Sequence, residues 1–347
     1  MAEIHEFAPD SDEILAVLGP YIQSGNINFL LGSGASSPAI PTAGDIETEI
    51  NDLLNEGDKE GATRKCLDLV EQIDATHAAI ALAPEGSPIQ LVSDSYKRFL
   101  SNVDHILFAR KNILLPRQAT VFTTNYDMFL EHASSLVPAV VLNDGFDRSS
   151  SLSSEFAFTP ERYFDRTYRS GPIYGHQIEI PTINLVKLHG SLSWRRGGES
   201  VVFDPTPIPK LTEDQKAELP EVESYLAKHF LILPNLRKFH ETLMERVYYD
   251  LLRQFSKAMD NENCVLFAFG FSFADEHILD LTRRSLRNPT AQLVIVSYDA
   301  ASVAGYEAKF SKQRNVKILA PANGTELDFN AFNRLLGAIP PERSHGK

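Results

Sequence analysis

Four short clusters hold most of the residue types able to do chemistry in this chain of 347 residues. The first, Gly32-Ser33-Gly34-Ala35-Ser36, is small enough for backbone to approach a ligand, and its N–H groups suit a pyrophosphate where the chain turns toward a helix. A tight turn with no ligand would use the same residues. It is neither G-x-G-x-x-G, because position 37 is Ser, nor a P-loop, because no Gly-Lys-Ser/Thr follows. The second cluster, Thr124-Asn125-Tyr126-Asp127, presents short side chains able to hold sugar hydroxyls, an amide or a water. Thr124-x-x-Asp127 also has the form of a capping box. The third, His189-Gly190-Ser191, offers an imidazole that is either a general base or a satisfied turn residue. The fourth is Gly270-Phe271-Ser272-Phe273-Ala274. As a nucleophile elbow it fails, because Ala274 replaces the final glycine and only His277 and His345 follow as possible partners. Asp275-Glu276-His277 reads as helix N-terminal charge in preference to a metal set. His240-Glu241 is no zincin helix because position 244 is Met, so no metal site is expected.

Each cluster follows directly on a short apolar run: Asn26 to Leu31, Ala119 to Thr123, Ile183 to Leu188 and Val265 to Phe269. Further runs at Val137 to Leu142, Leu293 to Val296 and Val316 to Leu319 read as strands, and Val201 to Phe203 as an edge-like one. Between Ile46 and Arg117 the pattern is helical; Ser87 and Pro88 announce a helix whose stripe includes Tyr96, Phe99 and Leu107. Helices are also expected from about Leu236 to Phe255, from near Asp275, and over Leu327 to Leu336. The stretch from Asn143 to Pro181 reads as a long irregular excursion. Buried strands alternating with helices predict an α/β fold: a Rossmann-like, doubly wound, mostly parallel sheet with a helical insertion at about 46–117 and an irregular one at about 143–181. In such a sheet the four clusters gather on one rim, outside the carboxyl ends of the strands. The motifs run nearly end to end, so the expectation is one domain over 1–337 with a tail at 338–347.

The formal net charge of -13 makes the average surface repel phosphate backbones, and no local basic patch is visible, so direct nucleic-acid contact is not expected. No apolar run reaches a membrane span, and the start is acidic where a signal peptide is basic, which points to the cytoplasm. The two cysteines, Cys66 and Cys264, fit a reducing compartment and are too few for a four-cysteine zinc site.

In order, these clusters resemble the motifs of the sirtuin superfamily, and most closely its sirtuin-like, NAD-hydrolysing branch of prokaryotic antiviral defence proteins. The family's Gly-Ala-Gly-x-Ser loop leading to Ile-Pro corresponds to Gly32 to Ser36 followed by Ile40-Pro41, and its Thr-Gln-Asn-Ile-Asp to Thr123 to Asp127. Its His-Gly is matched by His189-Gly190 and its Gly-Thr-Ser by Gly270 to Ser272; the phrases LVKLHGSLSW and FGFSFADEHI resemble the defence branch. The resemblance implies that Gly32, Ser33, Gly34, Ala35 and Ser36, with Pro41, contact NAD+, the substrate. It further implies that Asn125 and Asp127 hold the nicotinamide ribose region, that His189 is the base, and that Gly270, Ser272, Ser297 and Asp299 line the adenosine side. Two departures stand out: Thr42-Ala43-Gly44 replaces the family's Asp-Phe-Arg, and Tyr126 replaces Ile. Without the family's zinc module, hydrolysis of NAD+ to nicotinamide and ADP-ribose is favoured over protein deacylation; an NAD- or ADP-ribose-binding subunit without turnover is the alternative. A role as NAD-depleting antiphage effector follows from the resemblance. So do self-association into a homo-oligomer and a separate partner, such as a HerA-type ATPase, an Argonaute-like protein or another phage sensor.

Overall fold

The computed structural model describes residues 2–7, 12–110, 115–148, 156–171, 177–197, 200–233, 242–322 and 324–339. Strand β1 (Glu3–Phe7) and helix α1 (Asp12–Ser24) precede β2 (Asn26–Leu31). After the glycine-rich turn come α2 (Ala43–Asn55), α3 (Lys59–Ala79) and α4 (Pro88–Phe108), then β3 (Gln118–Thr123), α5 (Phe129–Ser135) and β4 (Val141–Asn143). The excursion holds the short strands β5 (Phe156–Ala157), β6 (Tyr168–Ser170) and β7 (Gln177–Glu179). They are followed by β8 (Thr182–Lys187), β9 (Trp194–Gly197) and β10 (Ser200–Phe203). Helices α6 (Glu213–Ala217), α7 (Leu219–Ala227) and α8 (Thr242–Met259) lead to β11 (Cys264–Phe269) and α9 (Glu276–Ser285). The described chain closes with β12 (Gln292–Val296), α10 (Ala301–Lys309), β13 (Val316–Pro321) and α11 (Phe329–Ala338).

Eight strands form one sheet in the order β1-β13-β12-β11-β2-β3-β8-β4, every pairing parallel. The apolar runs become its interior because a parallel sheet is covered on both faces; all six residues of β11 are buried. One face packs on α3, α4 and α11, where Phe29 meets Phe99 edge-on at 4.9 Å and Phe269 stacks on Phe332 at 5.4 Å. The other face packs on α8 and α9, with Phe122 edge-on to Phe255 at 4.9 Å. From β2 the chain builds outward to β3, β8 and β4; with β11 it returns to the other flank of β2. The reversal lies between β2 and β11, and a doubly wound sheet opens its ligand crevice at such a point.

Ser87 caps α4 as expected, its side chain accepting the Gln90 N–H at 3.3 Å, with Pro88 in the first turn. Three expectations are corrected. Val201 to Phe203 does not edge the main sheet; it pairs antiparallel with β5 and β9 in a separate three-stranded sheet. The run from Val137 becomes a strand only at Val141, where it meets Thr182, the start of β8. Thr124 caps nothing, because α5 begins at Phe129. Of the helix expected from Leu236, positions 236–241 lie outside the described residues, as does the tail from 340 and the His240-Glu241 pair. No helix among the described residues is long and apolar enough to cross a membrane.

Candidate functional site

The turns after β2 and β11 touch backbone to backbone. Gly32 N–H donates to the Phe269 carbonyl at 3.0 Å and Gly34 N–H to that of Gly270 at 3.1 Å. A Cβ on Gly32 would lie 2.3 Å from the Gly270 oxygen, and one on Gly270, at φ +62°, 2.6 Å from the Ala35 nitrogen. These glycines are therefore required by the crossing itself, whatever else they approach. Ser33–Ala35 then makes a single 3-10 turn that delivers Ser36 into the interior.

Ser36, Asn125, Asp127 and Tyr96 form one buried network. The Asn125 amide donates to the Gly32 carbonyl at 2.9 Å and to Ser36 Oγ at 3.1 Å. A carbonyl only accepts, so this contact fixes the orientation of the amide and leaves Oδ1 as its acceptor end. Ser36 Oγ donates to Asp127 Oδ2 at 2.7 Å and lies 2.9 Å from the Tyr96 hydroxyl. Asp127 Oδ1 accepts the Phe129 N–H at 3.2 Å, so Asp127 joins α5 to the glycine turn. Its backbone carbonyl accepts from Lys187, a fully buried ammonium that also reaches Ser191 Oγ at 2.9 Å and Glu131 at 2.8 Å. Burial pushes the Glu131 carboxyl upward against the pull of Lys187. Burial and the nearby Asp127 charge hold the Tyr96 phenol well above its usual range, so it stays neutral.

His189 stands on the other side. Gly190, at φ +84°, presses on the 230–232 segment, where a Cβ would meet the Phe230 oxygen at 2.1 Å. The His189 carbonyl accepts the Ile232 N–H at 2.9 Å, and the Tyr126 hydroxyl donates to the Ile232 carbonyl at 2.6 Å. The imidazole lies between the rings of Tyr126 and Tyr248, with centroids at 6.5 and 6.4 Å. Its Nε2 is 3.0 Å from Asp275 Oδ2. Asp275 also caps α9, its Oδ1 accepting the Ile278 N–H at 3.0 Å. Burial would raise the Asp275 carboxyl, but the His189 hydrogen bond and charge, with backbone N–H groups, hold it below its usual range. An ionised carboxylate only accepts, so Nε2 carries the proton and Nδ1 is the basic nitrogen of the neutral ring.

One cavity of about 190 Å³ joins the two sides, lined by Ser33, Ser36, Pro41, Asn125, Asp127, His189, Gly270, Ser272 and Asp275 among others. Gly32, Gly34 and Ala35 stand behind its wall in the crossing. Ser297 and Asp299 lie on the same rim, two strands from β2, but outside the wall. Ser297 Oγ donates to the Asp299 carbonyl at 2.8 Å, and the Asp299 carboxyl, held low by Ser302, accepts that residue's N–H at 2.7 Å. The sequence reading missed Tyr96, hidden in an apolar stripe, and Asp275, assigned only to helix charge. It also gave no role to Thr48, Asn51, Leu69 and Ile73, through which α2 and α3 complete the wall.

No group of metal-ligating side chains is present among the described residues. Both cysteines are buried, and burial pushes the Cys264 thiol up to about 12. A family model described as a SIR2-like domain matches residues 119–319, more than half of the chain. No curated protein matches it.

Proposed function

Because the chain belongs to the SIR2-like family, whose fold implies NAD binding, we propose that it is an NAD+ glycohydrolase, releasing nicotinamide and ADP-ribose. The observation that carries this reading is the cavity at the β2/β11 reversal, where Asn125 and the His189–Asp275 pair line one space. Nicotinamide in NAD+ is a cationic leaving group on a ribose. Breaking its bond to C1′ sends the electron pair to the pyridine nitrogen and leaves an oxocarbenium-like sugar. Water adds at C1′, and its proton goes to His189 Nδ1, the nitrogen that the Asp275 contact leaves basic. Asn125 Oδ1, the acceptor end of a fixed amide, orients that water or a ribose hydroxyl. Asp127 has both oxygens engaged and acts by holding Ser36 and α5 in register. Two cysteines cannot supply a four-thiolate zinc module, which favours hydrolysis over deacylation.

The same reading makes the chain the NAD-depleting effector of an antiphage system, kept silent through self-association or a separate partner such as a HerA-type ATPase. Purified protein, alone and with a neighbouring-gene product, is incubated with NAD+ and nicotinamide is measured. Release is expected, as is its loss in His189→Ala with unchanged thermal unfolding and in Asn125→Ala, which stays folded at reduced stability. Wild-type turnover in either variant overturns the mechanism; saturable NAD+ binding without release under any condition replaces hydrolysis by sensing.

A further inference from the structure

On the face of the molecule formed by α8 and α9 lies a second concavity, of about 990 Å³, walled by Arg253, Arg283, Arg284, Arg287, Tyr249 and Asp280. Four guanidinium groups thus converge against one of these carboxylates in a chain whose net charge is -13. Among the described residues, Arg283 alone of the four is engaged: its Nε donates to the Lys309 carbonyl at 2.8 Å, and Nη1 lies 3.8 Å from Asp280. Arg253, Arg284 and Arg287 have no hydrogen-bond or ion-pair partner among the described residues. The α9 dipole accounts for basic residues in its last turn, Arg283 and Arg284. It does not account for Arg253, which α8 brings to the same groove, or for Arg287 beyond the end of α9. With one carboxylate, Asp280, against four guanidinium groups, the groove carries an excess of positive charge that an anion would offset. The linear sequence conceals the cluster, because the 283–287 run follows Asp275, Glu276 and Asp280 and its fourth member lies 30 positions upstream.

We propose that this groove binds a phosphorylated nucleoside unit, separately from the cavity at the β2/β11 reversal. Guanidinium groups match phosphate oxygens in planar, two-point geometry, and arginine is the residue type gathered here. Tyr249, 67% exposed at the groove wall, offers an aromatic face for a base. The unit comes either from a free nucleotide or from a single strand laid across the groove. Two probes separate these sources: ATP followed by calorimetry, and a labelled oligothymidylate followed by anisotropy across a salt series. Wild-type protein is expected to bind at least one probe. Arg284→Glu/Arg287→Glu and Arg253→Glu should each weaken that binding at least tenfold, with thermal unfolding and nicotinamide release unchanged. If ATP alone binds, the source is a free nucleotide. Strand binding whose log affinity falls with log salt by about 0.7 per phosphate neutralised assigns the strand. Failure of both probes to bind below ~1 mM, or binding indifferent to the charge reversals, overturns the proposal. The binding arm is independent of turnover: a wild type that releases no nicotinamide refutes the hydrolase reading and leaves the groove to be judged by its own titrations.

Discussion

The two walls of the cavity satisfy their polar groups in different ways. On the Ser36 wall, Ser36, Asn125, Asp127 and Tyr96 are buried and share one another's hydrogen bonds, and the chain crossing beneath them excludes any Cβ. On the His189 wall, the imidazole and Asp275 keep partial exposure, 14% and 19% of their side chains, and the ring has one polar partner among the described residues. The first wall is part of what holds β2, β3 and β11 together. The second is mounted on finished elements, a glycine turn and a helix cap. Changes to the first should therefore register in folding, and changes to the second in chemistry.

The largest effect is expected at the crossing. Gly270→Val adds a branched side chain where even a Cβ meets Ala35 N at 2.6 Å, at a positive φ that disfavours it. A loss exceeding about 4 kcal/mol is expected, so that the variant is recovered insoluble or without a cooperative transition. A soluble Gly270→Val with wild-type melting would mean that the two turns do not touch.

Acid tests the second wall from beneath. His229 precedes the 230–232 segment that braces His189; burial, with the charge of Arg195, lowers it to about 4. An unfolded histidine titrates near ~6.5, so between that pH and about 4 the unfolded chain binds the extra proton. Stability is full above the upper value and falls as pH drops, by about 1.4 kcal/mol per unit and about 3 kcal/mol in all. Urea midpoints from pH 7 to 4 should show this slope in the wild type and a flatter one in His229→Gln. Equal slopes would place the acid-sensitive group elsewhere.

Next in size is Asp275→Asn. Asparagine still caps a helix, so α9 should hold, with the melting temperature lowered only by the carboxylate's share. The amide does not fix the imidazole proton on Nε2 as a carboxylate does, and nicotinamide release should fall about ten- to a hundredfold, with the pH profile displaced. The Asp275 carboxyl is held low in the folded state, so its stabilisation is present above about pH 4 and lost as pH falls through its lower folded value. The variant should lack that part of the acid response. Unchanged turnover would make the pair an ordinary cap contact.

The sheet was legible because buried parallel strands are unbroken apolar runs. Asn26 to Leu31 and Val265 to Phe269 agree with the strands observed to within one residue. β1 was not legible: its pattern, with Glu3 and Glu6 exposed and Phe7 buried, is that of a short edge strand recognisable only beside β13. The site was legible as far as its motifs are local. His189 and Asp275 lie 86 positions apart, and each has a sufficient local explanation, a turn and a cap, so their pairing exists only in the folded sheet. Likewise the helical insertion announced itself by its stripe, while its contribution to the cavity wall comes from the residues of α2 and α3 that line the cavity.

Tyr96→Phe asks the least of the protein and tests the shared character of the first wall most directly. The hydroxyl touches Ser36 Oγ at 2.9 Å and Asn125 Nδ2 at 3.5 Å, but neither depends on it. Ser36 keeps its donation to Asp127 and its acceptance from Asn125, and the Asn125 amide keeps Gly32, so no buried donor is stranded. The ring still stacks on Phe129 at 5.6 Å and meets Phe329 edge-on at 5.0 Å. The loss should then be near 1 kcal/mol, the net worth of one hydrogen bond, with an unchanged denaturant slope. Nicotinamide release should persist. A loss above about 3 kcal/mol would mean that Tyr96 anchors the network instead of sharing it, because that is the scale at which a buried polar group is left unpaired.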